Sequence, residues 1–370
     1  LEIMSETPAV TVLHENPEWY APIERAFSEE GVPVREWLLT GGSIDLASAP
    51  PEGVFWSRIS ASAHTRGNER TKEYARAVLT WLESWGRTVV NGSPVIELEV
   101  SKVAQYAKLR AAGVEVPRTS AVFGTAELAE TARSYPAPFI VKHNQGGKGL
   151  GVRRFDSHEE FERHIASPEF EPSPDGITLV QEYLPAREPF ITRVEFVGGE
   201  YLPAREPFIT RVEFVGGEYL YAVRVDTSSG SFELCPAEAC ELPAFVPAAA
   251  ACEIPGAVAD AGPEAAVDAA DAAPATGQFS LRPEVDGYPI LEQYRSFLRE
   301  NGITVAGIEF IETTDGRLVT YDINTNTNYN PAVEATSPRS GARENARYFG
   351  RLLAEASGAA SAEAVAESAR

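Results

Sequence analysis

The chain has 370 residues, with 54 acidic side chains against 32 basic ones and a formal charge of −22. That length allows two or three modules with a sizeable core, and the acidic balance argues against nucleic acid as a general partner. Three cysteines, Cys235, Cys240 and Cys252, are too few for a disulfide framework, no apolar run is long enough to span a bilayer, and the first residues lack a signal-peptide layout; the expectation is a soluble, cytoplasmic protein with no membrane partner.

Residues 8–92 alternate between strand-like and helix-like patterns. The runs 9–15, 32–39 and 53–59 are β-rich, 17–31 is an amphipathic helix closed by Gly31, 68–86 is a second helix, and 87–92 ends the unit. This predicts a small parallel α/β layer. Arg58 falls at the carboxyl end of its strand, where open α/β sheets bind ligands, which makes it a candidate for a substrate carboxylate; a solvated surface arginine is the other reading. Residues 95–113 read as one helix ended by Gly113 and carrying Lys102, followed by an exit strand. From 118 to 185 strand and helix alternate, and His158 and His164 on the helix 157–166 read as solvated.

At PFIVKHNQGGKGLGV (138–152) an apolar strand carrying Lys142 runs into a loop with Gly146, Gly147, Gly149 and Gly151 around Lys148. Glycines let backbone N–H groups converge on an anion, and lysines add point charges, so the loop suits phosphate. A plain turn is the alternative. The spacing is neither a Walker A loop, which needs Ser or Thr after its lysine, nor a Rossmann fingerprint.

Residues 183–200 recur identically as 201–218. Two identical copies are not a repeat array, and one is surplus. Gln181-Glu182 precedes only the first copy and Tyr219–Arg224 follows only the second, so the first is expected to enter the sheet and the second to form the hairpin. Arg193 and Arg211 then compete for one position. The stretch from about 234 to 284 is rich in Ala, Pro, Glu and Asp, with Arg282 as its one basic residue, and is expected to be a mobile insertion. Residues 286–302 form a helix with Ile290, Tyr294 and Phe297 on one face, and a last helix, 343–356, precedes a tail expected to fray.

Residues 307–331 place Glu309 on one strand and Asp322 and Asn324 on the next, joined by a turn at Thr314-Asp315-Gly316. The acids interrupt runs that are otherwise apolar and β-rich. In an antiparallel pair Glu309 and Asp322 face each other, a set of hard oxygen ligands suited to Mg²⁺; solvated acids near strand ends are the alternative. In the polar run that follows, the amides of Asn326 and Asn328 are placed to read a substrate, although asparagine also populates turns for conformational reasons.

Taken in order, Lys102, the Lys142 strand with its glycine loop, QEYLP (181–185), Arg211 and Arg224 on a hairpin, and Glu309 with Asp322-Ile323-Asn324 resemble the ATP-grasp ligases over most of the chain. The layout is most similar to the branch of the ribosomal-protein glutamate ligase and glutathione synthetase. The resemblance implies an α/β and α+β fold: an N-terminal parallel α/β domain (1–92), a first ATP-grasp lobe (93–185), a second lobe (186–357) and a tail (358–370). It implies ATP held by Lys102, Lys142, Gly146, Gly147, Lys148 and Gly149 and by the hinge Gln181, Glu182, Tyr183 and Leu184. An ordinary exposed helix lysine stays open for Lys102. It further implies Mg²⁺, or Mn²⁺, on Glu309, Asp322 and Asn324, Arg224 and Arg211 as catalytic groups, and Arg58, Asn326 and Asn328 toward the substrate. The implied reaction joins a small-molecule or peptide carboxylate to an amine through an acyl phosphate, and a homo-oligomer is compatible with it. Two departures stand out: Asp322 replaces the Glu of many members, and the acid expected near the ribose has only Glu188 or its copy Glu206 as candidates. A silent nucleotide-binding regulator, or an ATP-grasp enzyme with a non-amide product, are the other readings.

Overall fold

The computed structural model describes residues 7–146, 151–185, 190–195, 211–226, 279–329, 331–337 and 339–368. Gly147, Lys148 and Gly149, the ribose candidates Glu188 and Glu206, the three cysteines and most of the Ala-rich insertion lie outside them.

Apolar runs buried on both faces make the two central strands of the first sheet, as a parallel layer covered by helices requires. It comprises β1 (Ala9–His14), β2 (Val34–Leu38), β3 (Gly53–Arg58) and β4 (Thr88–Val90), all parallel in the order β2-β1-β3-β4. Helix α1 (Pro17–Glu29) starts at Asn16, whose side chain accepts from the Glu18 N–H, and α2 (Thr71–Ser84) covers the sheet. The next segment departs from the sequence expectation of a single helix. It is two, α3 (Ser93–Glu99) and α4 (Lys102–Ala111), because Ser101 is extended (φ −142°, ψ 110°) and its side chain caps a new helix by accepting from the Ala104 N–H. Lys102 is therefore the first residue of α4.

The second sheet is antiparallel, in the order β5-β8-β6-β7, from β5 (Thr119–Phe123), β6 (Phe139–His143), β7 (Arg153–Phe155) and β8 (Ile177–Glu182). Helices α5 (Leu128–Arg133) and α6 (His158–Ile165) pack on it around Phe139, Phe155 and Phe161. The two histidines of α6 are not solvated as expected. The His158 ring stacks on Phe139 with centroids 5.4 Å apart, and His164 lies 5.4 Å from Phe155, so each extends the aromatic cluster beneath the helix.

The third sheet joins the others. It holds β9 (Phe190–Glu195), β10 (Arg211–Val215), β11 (Glu218–Asp226), β12 (Phe279–Leu281), β13 (Ala306–Glu312) and β14 (Leu318–Asn324), in the order β10-β11-β9-β13-β14 with β12 on β11. The first copy of the duplicated segment enters the sheet as β9, and the second forms a hairpin with β11 across Gly216 and Gly217, both at positive φ as a two-residue turn demands. Arg193 and Arg211 both stand opposite Val223, and Val194 and Val212 both stand opposite Ala222 and Ile308. A strand has two edges, and β12 and β14 each take one edge of β11 and β13, so the two copies lay claim to a single place that only one strand can fill.

One face of this sheet packs on α7 (Ile290–Glu300), whose Ile290, Tyr294 and Phe297 are buried as expected, together with Tyr106 and Leu109 of α4. The other face meets the first sheet, α1, α8 (Pro331–Thr336) and α9 (Gly341–Ser368); the rings of Trp56 and Phe349 meet there at a tilt with centroids 4.6 Å apart. The tail expected to fray continues α9 to Ser368, consistent with the high helix propensity of Ala and Glu.

Candidate active site

The hairpin of β13 and β14 brings the acids together as the sequence predicts: Glu309 stands opposite Asp322, and Gly307 opposite Asn324. The pairing then skips one residue, with Phe310 opposite Thr320, so Tyr321 is the extra residue of a bulge. Bulges re-aim side chains. Here the Tyr321 hydroxyl donates to Glu309 Oε2 at 2.7 Å while Asn324 Nδ2 donates to Glu309 Oε1 at 3.2 Å, and Glu309 is fully enclosed. Asp322 makes an ion pair with the Lys102 ammonium.

Asn144, just past β6, brings the two lysines to one place. The Lys102 N–H donates to its carbonyl at 3.2 Å and the Val103 N–H to its Oδ1 at 2.8 Å, so the end of the Lys142 strand is docked on the first turn of α4. Lys142 is buried, and its ammonium donates to the Tyr106 hydroxyl at 2.5 Å. That hydroxyl also lies 2.8 Å from the Tyr321 carbonyl and 3.1 Å from Gln181 Oε1, linking the lysine to both β14 and the end of β8. Burial, aided by the charge of Lys102 and opposed by Asp322 and Glu309, pushes the Lys142 ammonium down to about 7.

At the hinge, Gln181 and Leu184 are buried, Glu182 Oε1 accepts from the Arg118 N–H at 2.6 Å, and the Arg154 guanidinium lies 4.5 Å from the centre of the Tyr183 ring. Gly146 opens the glycine loop at the edge of the described residues. Arg211 and Arg224 occupy neighbouring strands, one register step apart, since Arg211 pairs with Val223.

Arg58 is buried, which excludes the solvated reading. Its Nη2 donates to the Thr327 carbonyl at 2.5 Å and to Asn328 Oδ1 at 2.9 Å, tying the first sheet to the asparagine run. Asn326 beside them is 9% exposed, and both its amide atoms lack a hydrogen-bond partner among the described residues. The sequence did not single out Glu99, Gln105, Tyr106, Asn144 or Tyr321. The available signal was weak: a glutamine on the otherwise apolar inner face of α4, and an aromatic out of phase with the alternation of β14.

Among the described residues no group of three His, Cys, Asp or Glu side chains gathers. Two carboxylates and an amide are instead an oxygen set that Mg²⁺ accepts when substrate phosphates complete its shell. No described helix is long and apolar enough to cross a membrane.

No protein-family model and no curated relative matches the sequence. Solved structures do. The chain is similar to the D-cycloserine synthetase DcsG (TM-score 0.58, 14% identity, covering 93% of this chain and 100% of that one). It is similar to a RimK domain ATP-grasp protein from Sphaerobacter thermophilus DSM 20745 (0.55, 15%, 93% and 99%). D-alanyl-alanine synthetase A from Vibrio cholerae O1 biovar eltor str. N16961 is a third (0.57, 12%, 94% and 99%). Such identities speak for architecture alone, and with nearly the whole of both chains aligned, the architecture of this chain is the ATP-grasp fold.

Proposed function

We infer that this chain is an ATP- and Mg²⁺-dependent carboxylate–amine ligase, which activates a small-molecule or peptide carboxylate as an acyl phosphate and joins it to an amine, releasing ADP and phosphate. The Lys102–Asp322 ion pair carries this assignment. It closes the gap between a lysine pair suited to phosphate and a hairpin suited to a divalent cation, on residues 220 positions apart.

Glu309, Asp322 and Asn324 would hold Mg²⁺, which when bound supplies charge neutralisation at phosphate oxygens. Lys102 and Lys142 offset charge on the transferring phosphoryl group; the amides of Gly146, Gly147, Lys148 and Gly149 are assigned to the same phosphates, and the backbone of Gln181, Glu182, Tyr183 and Leu184 to the base. Arg224 or Arg211 stabilises the oxyanion formed as the amine attacks. Arg58 holds Thr327 and Asn328 in place, and the buried Asn326 amide, with no partner among the described residues, is left available to the substrate. Catalysis here is positioning and electrostatics. The same reading divides the chain at 92/93 and 185/186. Its support includes structures of the ligase PsnB with precursor, Mg and ADP and with a precursor peptide and AMPPNP, and the D-alanyl-alanine synthetase above.

Incubation with ATP, Mg²⁺ and pools of carboxylic acids and amines, with ADP release and mass spectrometry of products, tests it. A product lighter by one water than the sum of an acid and an amine is expected. A phosphorylated or carboxylated product instead, the outcome that similarity to an N5-carboxyaminoimidazole ribonucleotide synthetase keeps open, removes the amide step. Nucleotide binding without turnover in any pool leaves a silent regulator.

A further inference from the structure

The outer edge of β14 ends the third sheet, and among the described residues no strand pairs with it. Its backbone groups are met one after another by other parts of the chain. The Thr320 N–H donates to the Glu115 carbonyl at 2.8 Å, and the Tyr321 carbonyl accepts from Tyr106 at 2.8 Å. At Ile323 one side chain does both jobs: Gln105 Oε1 accepts from its N–H at 3.2 Å, and Gln105 Nε2 donates to its carbonyl at 2.9 Å. At Thr325, Glu99 accepts from the N–H at 2.7 Å and Asn91 donates to the carbonyl at 3.1 Å. Gln105 itself is 1% exposed, and its amide is anchored to the Leu98 carbonyl at 2.8 Å.

We propose that Gln105 is a positioning residue for the cation site: its amide stands in for a missing neighbour strand at Ile323, and so fixes the orientation of the flanking Asp322 and Asn324. The proposal rests on the assignment of those two residues to the cation. A strand edge without a partner is free to twist, and the bulge at Tyr321 adds local twist one residue before Asp322. The ladder between β13 and β14 fixes only the inner side of the strand. On the outer side Gln105 is the group that reads both the donor and the acceptor of the residue between the two ligands, and outer partners of this kind set how well ligands aim.

The test uses the full-length protein, a saturating non-hydrolysable ATP analogue, and Mn²⁺ as the probe, followed by electron paramagnetic resonance. Gln105→Met keeps the shape and removes both hydrogen bonds to Ile323 together with the one to Leu98; it is expected to weaken Mn²⁺ about 10- to 100-fold while nucleotide affinity measured with EDTA stays unchanged. Gln105→Glu keeps the acceptor and loses the donor, gives an intermediate loss, and serves if the first variant does not fold. Leu109→Ala, on the same helix and buried in the same core, controls for loosening of α4 and is expected to lower thermal stability without changing Mn²⁺ affinity. Unchanged Mn²⁺ affinity in the Gln105 variants, or an equal loss in Leu109→Ala, overturns the proposal. Asp322→Ala separates the two levels: if it too retains Mn²⁺, the cation assignment itself is wrong, whereas loss there with no effect at Gln105 removes only the positioning role.

Discussion

On β13 and β14 the carboxylates of Glu309 and Asp322 are met by a phenol, an amide and a lysine, whereas on β6 the enclosed Lys142 ammonium meets the neutral phenol of Tyr106. The two halves of one site are thus prepared differently. The oxygen donors are held in place before any ligand arrives, so little reorganisation is left for binding. The lysine is held in place but enclosed, and burial, with the charge of Lys102, lowers its proton affinity. On the proposed reading, Lys142 is therefore where binding of a phosphate would be coupled to uptake of a proton.

The sharpest way to break this contrast is Asp322→Ala. Loss of Mg²⁺-dependent ATP turnover by about 10²- to 10³-fold is expected in an ADP-release assay, with the thermal midpoint moving by less than about 5 °C, because the Asp322–Lys102 pair is part-exposed. Wild-type turnover would remove the hairpin from the site. Next comes Lys142→Ala, expected to weaken ATP by about 10-fold or more, the usual worth of a charge-assisted hydrogen bond; titration calorimetry with unchanged affinity would take β6 out of the phosphate half.

A third measurement sharpens the comparison through pH. The Lys142 ammonium is lowered to about 7 from 10.5, so between those values the unfolded chain binds the extra proton, and the unliganded protein gains stability as pH rises through that window. Phosphate favours the protonated lysine. Nucleotide binding near pH 8 should therefore take up a proton, and affinity should fall as pH climbs past about 7. Calorimetry in buffers of different ionisation enthalpy reads this directly, and the uptake should vanish in Lys142→Met; uptake that persists in the variant belongs to another group.

The smallest effect concerns the duplicated segment. Deleting 183–200 joins Gln181-Glu182 to Tyr201-Leu202-Pro203 and leaves Arg211 on its hairpin. Since β9 and β10 share their register partners, and since loop length costs little, turnover and thermal midpoint should stay level or the midpoint should rise. A deletion variant that does not fold or bind ATP would show that both copies are structural.

Much of this protein is legible in its residues taken locally. Period-two and period-3.6 patterns place the strands and helices of the first layer, Gly216-Gly217 and the Thr314–Gly316 turn close the hairpins, and the hairpin brings Glu309 near Asp322, although it takes the bulge at Tyr321 to set the two opposite each other. The same holds for the chemistry of Lys102, Lys142 and the oxygen donors, which depends on residue type. What required tertiary structure is every contact between distant segments: Lys102 with Asp322, Gln105 with Ile323 and Arg58 with Asn328 are separated by more than two hundred positions. The break at Ser101 belongs with them, because an apolar period running through 95–113 carries no sign that one hydroxyl caps a second helix. Local pattern reports which side chains share a face of one element. Which face of another element they meet is decided by packing three sheets around shared cores, and there Arg58 became a strut and Gln105 a substitute strand.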